Sequence, residues 1–403
     1  MHIPRLSSPR IKYTEIVLFF SHRKSILQAS VITSLTLVFF LRNFNVDSAA
    51  DNSFYDADSL RTMMYGSDPR NAISSIRPFL AVISLLPFGL SHLFSNYISW
   101  TILNGFCIFI MVFVSSKLLR NLYHDNIFYI LLLANFSTLV WIFVPDTFLL
   151  AMTVFLVSIY IYGEGINFIR VVLSLILAST LNIFLFLPWF LAHVIIQRKR
   201  IVFGLKTSCV GLGILTLLIL PGQVFEKFKP PASYIPSISY ELQQRMIHFL
   251  PLYDPTGPFG HIGSVAWFHS PFVGFNRNFL TFICAPWIVD YRYQIERIAI
   301  DSKNFPYALI IPAALLTLLS YLGLGLLHKK SPVISSFCIG LEIGTAILFC
   351  TYSIHPFLFS PFLLFSRVLG LTEVSRNRGQ LNYLVVLTVV ALTCFTSILV
   401  FNR

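Results

Sequence analysis

Apolar residues in this chain gather into long runs separated by short charged strips. The runs lie at 25–42, 97–116, 127–144, 147–162, 168–182, 183–197, 203–221, 306–327, 332–351, 356–370 and 381–400. Most approach the length that carries a helix across ~30 Å of hydrocarbon. Inside lipid, a continuous chain satisfies its backbone polar groups most simply as a helix. The pattern therefore predicts an all-α polytopic membrane protein with about eleven transmembrane helices, forming one membrane domain over 1–403.

Composition points the same way. Only 11% of the 403 residues are charged and 56% are hydrophobic, whereas a soluble chain carries about 25% charged residues. The net charge of +12 does not predict a nucleic-acid binder, because the 29 Lys and Arg punctuate the ends of apolar runs and form no single basic face. The six cysteines, at 107, 209, 284, 338, 350 and 394, mostly lie inside apolar runs without ligand spacing. They read as small buried hydrophobes.

Arg5, Arg10, Lys12, Arg23 and Lys24 precede the first run, so the positive-inside rule places the N-terminus in the cytoplasm. The first run lacks a small-residue cleavage site and reads as a signal anchor. Counting onward, Lys117, Arg120, Arg170, Arg198, Lys199, Arg200, Lys206, Lys329, Lys330, Arg367, Arg376 and Arg378 also fall on the cytoplasmic side. The stretch 78–94, PFLAVISLLPFGLSHLF, is apolar but contains Pro87 and Gly89. Reading it as a span would invert all later basic strips, so it is predicted to be an interfacial helix. Two long hydrophilic segments, 43–96 and 222–305, then face outward and should fold together as a cap.

The first outer segment holds Asp47, Asp51, Asp56, Asp58 and Asp68. On a helix through 46–64, a turn of 100° per residue sets Asp51 and Asp58 within about 40° of Asp47 and turns Asp56 about 180° away. Stacked carboxylates raise one another's pKa. Such an arrangement suits a general base that takes a proton from a hydroxyl, or a site for a divalent cation. A solvated helix whose aspartates offset Arg61 and Arg70 is the plainer reading for any one of them.

The second outer segment mixes Lys227, Lys229, Arg245, Arg277, Arg292, Arg297 and Lys303 with Trp267, Trp287, Tyr291 and Tyr293. Cations suit a phosphate and aromatic faces suit sugar rings, although both also anchor chains at the headgroup level. His248, His261 and His269 do not have metal-ligand spacing. Glu342 sits inside an apolar run, where a charge is either paired within the bundle or used for transport.

Several of these residues carry a resemblance. Asp51, Tyr55 and Ala57 in a D-x-x-x-Y-x-A pattern are followed by Gly66-Ser67-Asp68-Pro69, then by an apolar run opened by Arg77-Pro78-Phe79 and broken by Pro87. This resembles the polyprenyl-phosphate-sugar-dependent transferases of the GT-C superfamily. Three further features are similar: Val144-Pro145-Asp146-Thr147 at a tight turn, the paired short helices ending LFLPWFLAHVIIQRKR, and Tyr352, His355, Pro356 and Pro361 before a late helix. The chain departs from the family at Ser179-Thr180-Leu181-Asn182 and in lacking two adjacent acids in the first segment.

The resemblance implies an inverting transfer of a hexose or pentose from an isoprenoid-phosphate sugar to a glycan or glycolipid acceptor on the outer face. Asp51 would be the base, with Asp56 or Asp58 as alternatives and Asp58 as neighbour or cation ligand. Arg277, Arg292, His355 and Arg77 would hold the lipid phosphate. A multi-pass protein of the bacterial inner membrane follows, in contact with membrane lipid and not with nucleic acid. The sequon Asn135-Phe136-Ser137 lies inside an apolar run, in keeping with a bacterial setting. The competing expectation is a transporter, flippase or polymerase of lipid-linked glycans, which Glu342 would favour.

The orientation has a direct test. A reporter fused after Asn304 should be active only on the outer side, and one after Arg200 only in the cytoplasm. The opposite pair of results would mean that 78–94 crosses the bilayer.

Overall fold

The computed structural model describes residues 23–43, 79–119, 126–226, 282–288, 307–351, 360–376 and 379–401, and no strand occurs among them. In chain order the helices are α1 (Arg23–Asn43), α2 (Leu80–Ile83), α3 (Leu85–Ser91), α4 (Asn96–Leu118), α5 (Asn126–Leu133), α6 (Phe136–Phe143) and α7 (Phe148–Gly163). There follow α8 (Phe168–Thr180), α9 (Phe186–Ile196), α10 (Ile201–Glu226), α11 (Tyr307–Lys330), α12 (Pro332–Thr351), α13 (Ser360–Ser375) and α14 (Gly379–Phe401).

Among the described residues four helices are long and apolar enough to cross a membrane alone: α4, α10, α11 and α14. A fifth span results if α6 and α7 are taken together as one broken unit. The outward faces of the long helices are apolar. Ile98, Ile102, Phe106 and Phe109 form one exposed stripe on α4, and Ile311, Leu315, Leu318, Leu322 and Leu326 form another on α11. In a water-soluble bundle these helical spacings would carry polar residues. Here the stripes face hydrocarbon, so the fold is a multi-pass membrane bundle.

The predicted run 127–144 is two helices, not one. Asn135 divides it: its Oδ1 accepts from the Thr138 amide at 2.9 Å, capping α6, while its Nδ2 donates to the carbonyls of Leu131 and Leu132 at the end of α5. The sequon is thus consumed by structure, with Ser137 Oγ 2.9 Å from Ser360 Oγ. The predicted interfacial helix at 78–94 is a broken pair, α2 and α3, interrupted at Ser84. At 1.5 Å per residue neither piece approaches the ~30 Å of a bilayer core. The 13-residue α8 and 11-residue α9 are also short, rising about 20 Å or less.

The axis of the bundle is α13, which packs on α5, α6, α7, α11, α12 and α14. It is buried from Ser360 through Leu371 and carries Ser366, Arg367, Thr372, Glu373 and Ser375. Lipid is the worse solvent for such a helix, so the most polar helix lies innermost. Close approach to α11 depends on small residues: a Cβ on Gly323 would collide with the Gly370 carbonyl, and one on Gly370 with the Ser320 carbonyl. Across the bundle, Gly340 and Gly344 on α12 let Pro188 of α9 pack against the backbone. Both are the small-residue contacts by which helices associate in lipid.

Two ends emerge. At one, α1 packs Phe40 on Phe136 and Phe143, Tyr97 at the start of α4 donates to the Phe143 carbonyl at 2.8 Å, and Ser360 opens α13 beside Ser137. At the other, Arg170, Arg198, Lys199, Arg200, Lys206, Lys329, Lys330 and Arg376 are exposed around the helix ends. Arg367 does not belong with them. The sequence pattern counted it among the cytoplasmic cations, but it lies fully buried in α13.

Gly370→Ala should force α11 and α13 apart, with a loss of ~1–3 kcal/mol as in other overpacked interiors. Gly325→Ala, where a Cβ meets nothing within 4 Å, should leave the thermal midpoint in detergent unchanged. Equal effects of the two would show that the close approach is not what holds the pair.

Candidate functional site

The residues nominated by sequence, Asp51, Asp56, Asp58, Arg77, Arg277, Arg292 and His355, lie outside the described residues, as do His248, His261 and His269. The described helices nevertheless constrain where their segments attach. The stretch 44–78 runs from the end of α1 to the start of α2, 227–306 links α10 to α11 around the described 282–288, and 352–359 joins α12 to α13. Phe40 near the end of α1 and Ser360 at the start of α13 both meet α6, and α11 runs parallel to α13, with Thr317 meeting Arg367 and Lys330 meeting Glu373, so α1 ends, and α11 and α13 start, at the end opposite the basic rim.

At that end the break between α6 and α7 turns the chain through 114°. Val144, Pro145, Asp146 and Thr147 form the break and are all buried, Asp146 being only 2% exposed. A break in a helix leaves carbonyls without intrahelical partners. Asn104, one helix away on α4, supplies the missing donor, its Nδ2 reaching the carbonyls of Trp141 at 3.0 Å and Val144 at 3.3 Å. Asp146 Oδ1 accepts from the Thr147 amide and so helps start α7. A carboxylate is thereby buried at the break between α6 and α7. The sequence singled out this turn but not Asn104, whose only signal was an amide inside an apolar run.

The second polar centre lies deeper. Arg367 on α13 faces Glu342 on α12, with Nη2 3.0 Å from Oε2 and Nε 3.3 Å from both carboxylate oxygens. Tyr321 on α11 donates to Glu342 Oε2 at 3.0 Å and accepts from Arg367 Nη2 at 3.0 Å. The Ser366 hydroxyl donates to the other carboxylate oxygen. Arg367 Nη1 turns away from the acid, donating to the carbonyls of Phe282 at 2.7 Å, Ile283 at 3.1 Å and Ala285, and to Thr317 Oγ1 at 3.2 Å. Thr317 in turn donates to the Ile283 carbonyl at 2.7 Å and accepts from the Trp287 indole at 3.0 Å. The guanidinium also lies over the Phe282 ring, 4.7 Å from its centroid.

Of the two roles open to Glu342, pairing within the bundle is the one seen. The seven residues 282–288 are buried against the helices by the same clasp. Burial pushes the Cys284 thiol up to about 12, with the Arg367 charge opposing. Cys107 and Cys338 are likewise buried, whereas Cys209 is exposed on α10.

A third network lies near the basic end. Thr207 donates to the carbonyls of Phe203 and Gly204, so its oxygen accepts from His193 Nε2 at 3.0 Å. His193 Nδ1 must then accept from Tyr162 at 2.9 Å, and Tyr162 from Gln197 Nε2 at 3.3 Å. This donor and acceptor accounting is met by the imidazole tautomer with its proton on Nε2. The ring also stacks on Trp189, with centroids 4.8 Å apart. Each group is satisfied, and the network joins α7, α9 and α10. Among the described residues no three metal-ligating side chains come together. Comparison with protein families, with characterised proteins and with solved structures gives no match for this chain.

Asn104→Leu should strip a donor from the carbonyls of the α6–α7 break, at ~1–3 kcal/mol for buried groups left unpaired. Thr216→Val, whose hydroxyl bonds only within the exposed face of α10, is the control. If Asn104→Leu unfolds at the same temperature as the unaltered chain, Asn104 does not support the break.

Proposed function

We propose that this chain is a membrane glycosyltransferase moving a sugar from an isoprenoid-phosphate donor to a lipid-linked or envelope glycan acceptor on the outer face of a bacterial inner membrane. The observation that carries the reading is convergence. The links that contain Asp51, Asp56, Asp58 and Arg77, then Arg277 and Arg292, then His355, all join helices at the end of the bundle where Asp146 is buried. Acids suited to activating a hydroxyl and cations suited to a phosphate would then meet at one membrane surface.

The basic rim supports reading its own end of the bundle, and with it the N-terminus, as cytoplasmic. In this reading the apolar runs make eleven crossings, the broken and short helices included, and the links 43–96 and 222–305 form the outer cap. In the reaction, Asp51 takes the proton of the acceptor hydroxyl, and that oxygen bonds to the anomeric carbon. The bond from carbon to phosphate oxygen breaks with inversion, and Arg277, Arg292 and His355 stabilise the departing lipid phosphate. Asp58 tunes the base or, with Asp56, holds a divalent cation. The transporter reading rested on Glu342, whose oxygens are held by Arg367, Tyr321 and Ser366. An acid that carries protons or substrate has to exchange partners, and this one is engaged from three sides.

Transfer of radiolabelled sugar from isoprenoid phosphate to an envelope extract tests the proposal. Asp51→Asn should lower transfer by at least the ~10² typical of a lost general base, with Asp56→Asn milder. Arg277→Gln or Arg292→Gln should weaken donor binding by ~1.5–3 kcal/mol, the worth of a charge-assisted contact. Full activity in Asp51→Asn and Asp56→Asn alike would return the chain to the transporter class.

A further inference from the structure

One stretch of the basic rim has no counter-charge within the protein. Of the rim cations, Arg170 donates to the Glu164 carbonyl and Lys330 pairs with Glu373. Arg198, Lys199, Arg200 and Lys206 are all exposed, and no side-chain hydrogen bond or ion pair joins them to a described residue. Nor does the surrounding sequence supply an acid. Residues 165–225, which hold α8, α9 and nearly all of α10, contain no Asp or Glu.

Lys206 differs from the other three in depth. It follows the first residue of α10 by five positions, which sets its Cα ~7.5 Å inside the span. At 100° per residue, Val202, Gly213 and Leu217 fall within about 40° of it, and Val202 and Leu217 are 77% and 65% exposed. Lys206 therefore stands on the lipid-facing stripe of α10. This helix is also the least covered of the four long ones, packing chiefly on α8 and α9. An unpaired charge in hydrocarbon is costly. Helical side chains lean toward the N-terminal end of their helix, and the lysine stem is long and apolar. The ammonium accordingly leaves the hydrocarbon near the level of Arg198, Lys199 and Arg200, and the cations share one patch at headgroup height. A lone cation there is met by the phosphate of a zwitterionic lipid. A cluster without acids calls for a lipid of net negative charge.

We propose that the start of α10 is a binding site for an anionic phospholipid, with the headgroup phosphate held by Lys206 together with Arg198, Lys199 and Arg200. An acyl chain lies along the stripe below, where a Cβ on Gly213 would meet nothing within 4 Å and the helix leaves room beside the exposed Leu217. The site is on the lipid side of the bundle and is independent of the chemistry assigned to the opposite end.

The test is a titration of the purified full chain in detergent with dioleoylphosphatidylglycerol, binding being followed by native mass spectrometry. Dioleoylphosphatidylcholine and inorganic phosphate form separate arms. The unaltered chain should take up the anionic lipid roughly tenfold more tightly than the zwitterionic one, or better. A basic side chain near an anionic surface is worth about fivefold in affinity. Lys206→Gln should therefore weaken uptake about fivefold, and Gln at 198, 199, 200 and 206 together about a hundredfold or more, while Lys206→Arg keeps it. These side chains are exposed and bond to no described residue, so the variants should fold as the unaltered chain does. The control is Lys329→Gln, an exposed rim cation on α11, which packs on α12, α13 and α14; it should leave uptake unchanged. Equal uptake of the two lipids would overturn the proposal. So would a loss in Lys329→Gln as large as in Lys206→Gln, since the whole rim would then attract the lipid. Displacement of the lipid by inorganic phosphate at the same concentration would also overturn it, because the anion alone would then be the ligand.

Discussion

A guanidinium inside a membrane bundle has no water to solvate it, and the arrangement around Arg367 replaces that water group by group. An isolated charge at this depth is costly, and a buried ion pair recovers the desolvation penalty only when its remaining donors and acceptors are also satisfied. The Arg367 side chain finds a carboxylate, a phenol, a threonine hydroxyl and three carbonyls. Meeting those demands sets the packing. Thr317 and Tyr321 reach the guanidinium because Gly323 and Gly370 let α11 lie against α13. On α12, Gly340 and Gly344 bracket Glu342. At 100° per residue the acid points about 160° away from both glycines, so one face receives Pro188 of α9 while the other meets α13.

Much of this was legible in the sequence. Apolar runs located nearly every helix, because lipid exposes apolar faces and forces the backbone to bond within its own segment. The cationic strips at Arg198–Arg200 and Lys329–Lys330 do mark one end of the bundle. The position of Glu342 announced a polar centre, but its partner did not announce itself. Arg367 falls near the end of an apolar run and was assigned to a membrane surface, whereas α13 continues to Ser375. Pairing between residues on different helices leaves no trace in local periodicity. The break at Asn135 was hidden for a related reason: an amide that caps one helix and terminates another looks, in a hydropathy pattern, like one polar residue in a span.

The two ends of the molecule are built to different rules. Near the basic rim, Gln197, Tyr162, His193 and Thr207 form a continuous chain of buried hydrogen bonds, and Lys330 pairs with the nearly buried Glu373. At the opposite end the chain breaks, turns through 114° at Asp146, and sends out its long links. Irregular backbone inside a membrane bundle is tolerated where protein buries it, as Asn104 and the surrounding helices do here. The helices that flank the acidic stretch 47–68 and the cation-rich second link end or begin at this face, which is what the proposal rests on.

The central structural claim is that Arg367 and Glu342 act as one unit, and a double-mutant cycle measures that directly. Thermal unfolding in detergent is compared for the unaltered chain, Arg367→Met, Glu342→Leu and the pair together. Each single change leaves a buried charge alone and should cost ~3–5 kcal/mol. The double variant should lose less than the sum by ~1–3 kcal/mol, the coupling of groups in direct contact. Losses that simply add would contradict the account, because two residues without coupling cannot be the joint on which the bundle closes.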